Sequence, residues 1–485
     1  MRGHFNNAKW SGAAAGLRAF SSLINALLAV RMLGVEQYGH LAVILSVFAF
    51  YLSLNAGFYT TLVARLMSPV VVGNPRAQSE LLASTVALAA GSLIFLALLA
   101  GLLSWAAPSF LGLDKYQGMA VAYWMMPALV SLQMLALLQS AVIESAGRLD
   151  VAMKAQLVGP SVLLIMLSIV YLLHLSFSMQ HYMATLCASA GIDICMLWIF
   201  RRMILRLPIL YTGATPSYSA LKKLLLSGSV LQAASLMNLF LEPMNKLLLS
   251  QFIGPAAVTT YDLAMKLIWG IQRLFAATMR VFLHFGHENG ASINRVYTRV
   301  ISLIAIPALI MHAFGAILLS WIAHRWVDLD ASQLMIFYSI ATISNLGMIV
   351  VMPFYMGLIS RNDLGFIFRC QSVLALSNII ISASAIPFLG LTGAAIGLLA
   401  ATIYNVVAIY LRHCDHVGRI DGIVTTLKDI AVRFLFTGIF FCMALYFGAQ
   451  AELAELWLAI LCIALFAIGM AEPLPRRIVT IGLKR

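Results

Sequence analysis

The sequence predicts an all-α integral membrane protein, and three observations carry that prediction. Of its 485 residues, 62% are hydrophobic and 10% charged, at a mean hydropathy of +0.94, which is more apolar surface than one soluble core can hide. The apolar residues fall in runs of about 20 or more, the length that crosses a hydrocarbon layer of roughly 30 Å. Polar and apolar positions do not alternate within those runs, which argues against a membrane barrel. Backbone in lipid must satisfy its own hydrogen bonds, which leaves helices.

Fourteen segments meet this description. The first, 10–32, is interrupted by Arg18 and followed by no small-residue cleavage site, so it reads as a retained helix and not a signal peptide. The break "VRMLGVEQYGHLAV" (30–43), with Gly34 and Gly39, turns the chain into the second, 40–66. Segments 80–107, 119–143, 156–177 and 182–205 complete an N-terminal lobe over 1–213. A C-terminal lobe over 214–412 holds 223–250, 257–284, 297–322, 332–358, 365–386 and 390–411, and residues 413–485 supply a linker, a last pair at 430–448 and 454–471, and a short tail.

The division into lobes rests on repetition. Setting Gly34 against Gly254 also pairs Asn25 with Asn245, Leu27 with Leu247 and Leu28 with Leu248, and "SQFIGPAAVTTYDLA" (250–264) then echoes the first break. A second match sets "AGRLDV" (146–151) against "ISRNDL" (359–364), pairing Arg148 with Arg361 and Asp150 with Asp363. Two matches at similar offsets imply duplication. An even number of helices per copy keeps both copies in one orientation, a parallel repeat of the kind transporters use.

Most of the 31 lysines and arginines fall in loops on one side, while the other side holds only Arg31, Lys115 and Arg325. Positive residues stay inside, so both termini are expected in the cytoplasm and the protein in the cytoplasmic membrane. The net charge of +13 is then topology and attraction to anionic headgroups, and no nucleic-acid partner is expected. Six scattered cysteines without CxxC spacing predict no disulfide framework. His413 and His416 lack the companions of a metal site, and nothing calls for a cofactor. Loops are too short for a soluble catalytic domain, so no enzyme is expected.

Four stretches resemble a known family. "LLAVRMLGVEQYGHLAV" is similar to the first-to-second-helix turn of the O-antigen and exopolysaccharide flippases (Wzx-like) of the multidrug/oligosaccharidyl-lipid/polysaccharide (MOP) exporter superfamily. "NKLLLSQFIGPAAV" resembles their seventh-helix end, "ESAGRLDVAMKAQLVGP" their fourth-to-fifth connection, and "PFLGLTGAAIGLLAATIYN" the entry to their twelfth helix. The resemblance implies a MATE-like arrangement of two six-helix lobes around a cavity that opens alternately to either side, with the last helix pair fitting the fourteen-helix members. It implies a flippase for an undecaprenyl-diphosphate-linked oligosaccharide, with that substrate, membrane lipids and a glycan polymerase complex as partners. A lipid II flippase and a MATE-like drug or cation antiporter share the topology; a polysaccharide polymerase or ligase would carry a sizeable external loop, which is absent.

Charges inside the segments locate the candidate site, because an ionised group in hydrocarbon is costly unless it faces the bundle interior or a wet cavity. Arg18 shares a helical face with Asn25 in the first segment; Asn238, Glu242 and Lys246 lie in the seventh; Asp262, Lys266 and Arg273 fall on one stripe of the eighth; Asp193 is in the sixth. Arg18, Lys266, Arg273 and Lys246, with Asn25, are the candidate substrate contacts for a diphosphate and acidic sugars, since guanidinium donates two parallel hydrogen bonds to phosphate. The competing reading is internal pairing, because Glu242–Lys246 and Asp262–Lys266 are both i,i+4 with the acid first. Asp193, Glu242 and Asp262 are the candidates for a coupling ion or proton, as carboxylates able to change charge. His312 reads as a hydrogen-bonded packing residue.

Overall fold

The structure, a computed structural model, describes residues 2–417 except 67–74, 107–117, 146–147, 205–214, 219–221, 223–236, 238–239, 280–290, 328 and 362. Segments 430–448 and 454–471, and Asn238, lie outside the described residues. The described residues are helical without strands: α1 (Arg2–Leu33), α2 (Val35–Leu66), α3 (Pro75–Ala106), α4 (Met119–Ser145), α5 (Leu149–Ala155), α6 (Val158–Leu172), α7 (Met179–Ile199), α8 (Glu242–Phe252), α9 (Pro255–Met279), α10 (Ala291–Ile322), α11 (Ala331–Ser360), α12 (Leu364–Leu389) and α13 (Leu391–Val417). Single π turns extend α7 over Phe200–Ile204 and α10 over Ala323–Val327. Among the described residues, nine helical stretches are long and apolar enough to cross a membrane.

The two breaks that matched in sequence match in backbone. Gly34 closes α1 at φ +87° and Gly254 closes α8 at φ +122°, a region that is strained for any residue with a Cβ. Each glycine N–H turns back to a carbonyl of the helix just finished, Gly34 to Val30 at 2.8 Å and Gly254 to Leu249 at 2.9 Å, which satisfies a helix-end acceptor. The second match slips: α5 begins at Leu149 and α12 at Leu364, an offset of 364 − 149 = 215, where the residue pairing gave 361 − 148 = 213. Loop identity there does not track helix starts. At the start of α11, Asp330 accepts from the Ser332 N–H at 3.0 Å and the Gln333 N–H at 3.2 Å, an N-cap; the Ser332 hydroxyl and the Gln333 N–H hold its carboxyl below the usual range.

The core is shared at one end of the molecule and divided at the other. At the end carrying the Gly34 and Gly254 turns, a single cluster joins both halves of the chain, with Leu27, Tyr38, Tyr123, Tyr261, Phe337 and Tyr338 fully buried in it. At the opposite end the apolar clusters of described residues stay within one half. Ile271, Phe275, Ile304, Ile349, Phe354 and Ile409 pack together, while Leu62, Leu66, Leu81 and Leu138 form one group and Ile143, Val151 and Leu197 another. Close approach of the helices needs small residues: at the shared end a Cβ on Gly39 of α2 would collide with the backbone carbonyl of Pro255 at the start of α9, and farther along α9 one on Gly270 would meet the Ala19 methyl at 3.0 Å. Glycine and alanine at such crossings are how membrane helices gain contact without a hydrophobic drive.

Candidate functional site

At the shared end, the turn at Gly254 folds α8 back along α9 and brings together charges that are 16 residues apart. Lys246 Nζ lies 2.6 Å from Glu242 Oε1 on its own helix and 2.5 Å from Asp262 Oδ1 across the turn. Lys266 Nζ donates to Asp262 Oδ2 at 2.6 Å. From the other half of the chain, the Tyr38 hydroxyl on α2 donates to the same Oδ2, also at 2.6 Å. The charges of two carboxylates and two ammonium groups cancel, and Asp262 is fully buried, which is tolerable only because every neighbour compensates it.

Around this cluster lies a ring of neutral bonds. The Thr259 hydroxyl of α9 donates to the Val35 carbonyl of α2 at 2.6 Å, and Asn245, which is fully buried, links to the Tyr261 hydroxyl at 3.3 Å and exchanges bonds with Asn378 of α12. Thus α2 from the first half is tied to α8 and α9 from the second. The i,i+4 pairing of Glu242 with Lys246 and of Asp262 with Lys266 is present. Spacing along one helix did not reveal the bond from Lys246 to Asp262 or the part of Tyr38, since both arise only when helices meet.

The remaining candidates lie apart from one another. Arg18 is half-buried on α1, with Nη2 3.5 Å from the Met153 sulfur of α5. Asp193 itself accepts the Gly159 backbone N–H at 2.7 Å, near the start of α6, where a carboxylate is favoured by the helix dipole. The Ser189 hydroxyl one turn earlier donates to the Gly159 carbonyl at 2.8 Å, so α7 holds the head of α6 on both sides. Asn25 is buried, and its side-chain oxygen has no hydrogen-bond partner among the described residues. His312 sits in a polar knot with Tyr338 at 3.1 Å and Asn345 at 2.9 Å, bonded as a packing histidine would be.

Lys266 and Arg273, two turns apart on α9, line different cavities. The first is an apolar groove of about 440 Å³ between α1, α9 and α10. Phe20 and Phe314 on its wall are 58% and 44% exposed, so the groove is open and not an enclosed cavity. Among the described residues Lys266 is its one charged lining residue, beside Gly16, Leu23 and Gly270. The second, of about 330 Å³, lies among α9, α11, α12 and α13 and holds the exposed Arg273 with Trp269, Gln272, Tyr355, Gln371 and Asn405. No described residue lining the second cavity is acidic. The polar neutrals that line it carry no charge to mark them in the sequence; Asn405, a lone amide in an apolar run, is the available signal.

No protein-family model and no curated protein matches the sequence. Solved structures do match the fold. An inward-facing multidrug resistance MATE family transporter of the MOP superfamily superposes with a TM-score of 0.68, at 13% identity over 82% of this chain and 95% of that one. The lipid II flippase MurJ in an inward closed conformation gives 0.67, at 13% identity over 94% and 97%. A mutant of the Vibrio cholerae MATE transporter VcmN gives 0.63, at 12% identity over 86% and 98%. At these identities the likeness is one of architecture, and what it establishes is that this chain has the MOP/MATE-like fold.

Proposed function

We propose that the protein is a flippase that carries a lipid-linked oligosaccharide, on a polyprenyl diphosphate, to the outer leaflet of the cytoplasmic membrane by alternating access. The observation that carries the reading is the open groove between α1, α9 and α10, apolar along its length, whose one charge among the described lining residues is the Lys266 ammonium, which also donates to Asp262 at 2.6 Å. That pattern suits an amphiphile whose chain stays in lipid while its anionic head is met by a cation, because a diphosphate crossing hydrocarbon uncompensated faces a prohibitive desolvation cost. Arg18, Lys246 and Asn25 are proposed to serve the same passage once the lobes move. The likeness to a lipid II flippase supports the same class of substrate.

The bias of lysine and arginine assigns the Gly34 and Gly254 turns to the outer side. On that assignment the shared core and the Tyr38–Asp262 and Thr259–Val35 bonds form an outer gate, shut in this state, while the halves keep separate cores toward the cytoplasm. Opening outward separates Tyr38 from Asp262. Asp262 and Glu242 are proposed to couple that step to an ion or proton, with Asp193 as a second candidate. An antiporter for cationic drugs would present a carboxylate to its substrate, whereas Asp262 accepts from Lys246, Lys266 and Tyr38.

Depletion of the protein in cells, followed by labelling of lipid-linked glycan accessible from each face of the membrane, tests the reading. Accumulation on the cytoplasmic leaflet is expected. Unchanged glycan distribution together with altered drug tolerance would overturn it in favour of the antiporter.

A further inference from the structure

The cavity that holds Arg273 contains polar atoms that the fold leaves unused. Trp269 Nε1, Gln272 Oε1, Gln371 Oε1 and Asn405 Oδ1 are shielded from solvent and have no hydrogen-bond partner among the described residues, and all four belong to side chains lining this cavity. Gln272, Gln371 and Asn405 are 8%, 4% and 0% exposed. Each such group costs stability while it stays unpaired, and native proteins keep few of them without a reason. Four such atoms, on side chains of α9, α12 and α13 that line one cavity, set it apart from the paired polar groups around Asp262.

From these residues we infer that the cavity is a sugar-ring subsite, taking one hydroxyl-rich monosaccharide unit that bears a single negative charge, of the uronic acid kind. The inference rests on the flippase reading for where such a sugar comes from. Chemistry selects the class. Three carboxamide oxygens require hydrogen donors, which sugar hydroxyls supply and a bare phosphate or carboxylate does not. The indole N–H requires an acceptor, which the same hydroxyls also supply. Arg273 is the one charge among the described residues of the wall, so it matches one anionic group with paired donors and repels cations. The volume of about 330 Å³ falls at the small end of ligand sites, and Trp269 and Tyr355 offer flat apolar faces beside the polar atoms. An inorganic diphosphate would answer Arg273 and the indole but leave the carboxamide oxygens unmet.

Binding to the full-length protein in lipid nanodiscs, followed by calorimetry with methyl glucuronide, methyl glucoside and inorganic pyrophosphate, tests this. The glucuronide is expected to bind, the glucoside about tenfold more weakly, and pyrophosphate not to compete. Arg273→Gln should erase the preference for the acid, a loss of about tenfold or more, with neutral-sugar binding kept. Gln371→Leu should weaken both sugars while the protein melts at the same or a higher temperature, since it removes an unpaired buried group; a merely structural glutamine would show the reverse. Pyrophosphate displacing the glucuronide, or sugar binding unmoved by Arg273→Gln and Gln371→Leu, would overturn the subsite. The assay stands apart from the cell experiment: normal glycan export in depleted cells with intact glucuronide binding defeats the flippase and leaves the subsite, and the opposite result does the converse.

Discussion

Two polar regions lie along α9, about three turns apart, and the chain treats them in opposite ways. Around Asp262 every charge has a partner, and the hydrogen bonds run between α2, α8 and α9. Around Arg273 the charge stands exposed, and four shielded polar atoms beside it have no partner among the described residues. Asp262 is fully buried and Arg273 exposed, but Gln272, Gln371 and Asn405 beside Arg273 are buried as well, so depth alone does not separate the two regions. Polarity that is spent internally fixes how helices meet, whereas polarity that is withheld is available to a ligand.

Removing the centre of the spent region gives the largest expected effect. Asp262→Asn leaves Lys266 and part of Lys246 uncompensated and should lower stability by about 3–5 kcal/mol, read from thermal unfolding of the purified protein. Tyr38→Phe keeps the ring in its packing but removes one hydrogen bond to a buried carboxylate, so about 1.5–3 kcal/mol should be lost. If the outer-gate reading holds, labelling of cysteines placed at that end should also rise; unchanged labelling breaks that reading. At the withheld region the sign turns: Gln371→Leu should raise stability by about 1 kcal/mol or leave it unchanged. Smallest of all, Arg273→Leu should shift stability by no more than about 0.5 kcal/mol while export of an acidic glycan falls, measured in depleted cells complemented with the variant. A large loss of stability from Arg273→Leu would make the two regions alike and dissolve the comparison.

The fold was legible because composition and helix length are properties of the chain alone. Segment 119–143 appears as α4 at Met119–Ser145, and 332–358 as α11 at Ala331–Ser360. Pairs within one helix were legible for the same reason, since i,i+4 geometry belongs to the helix. What the sequence withheld depends on approach. Lys246 reaches Asp262 only because the positive φ at Gly254 folds α8 against α9, and Tyr38 joins only because α2 crosses there. Seven-residue spacing puts Lys266 and Arg273 on one stripe in the sequence, yet the two face different cavities because α9 has different neighbours on its two flanks. Asp193 reads in the sequence as a carboxylate able to take up an ion or proton; it accepts a backbone N–H 34 residues away, and a backbone donor leaves no mark in a sequence.

The missing side chain at Gly39 has a practical consequence. It lets α2 lie directly on the Pro255 carbonyl, so position 39 behaves as a doorstop waiting to be fitted: Gly39→Leu would hold this end ajar by sheer bulk. Such a variant would supply, without ligand or inhibitor, a preparation biased toward the opposite posture, in which that posture could be seen directly.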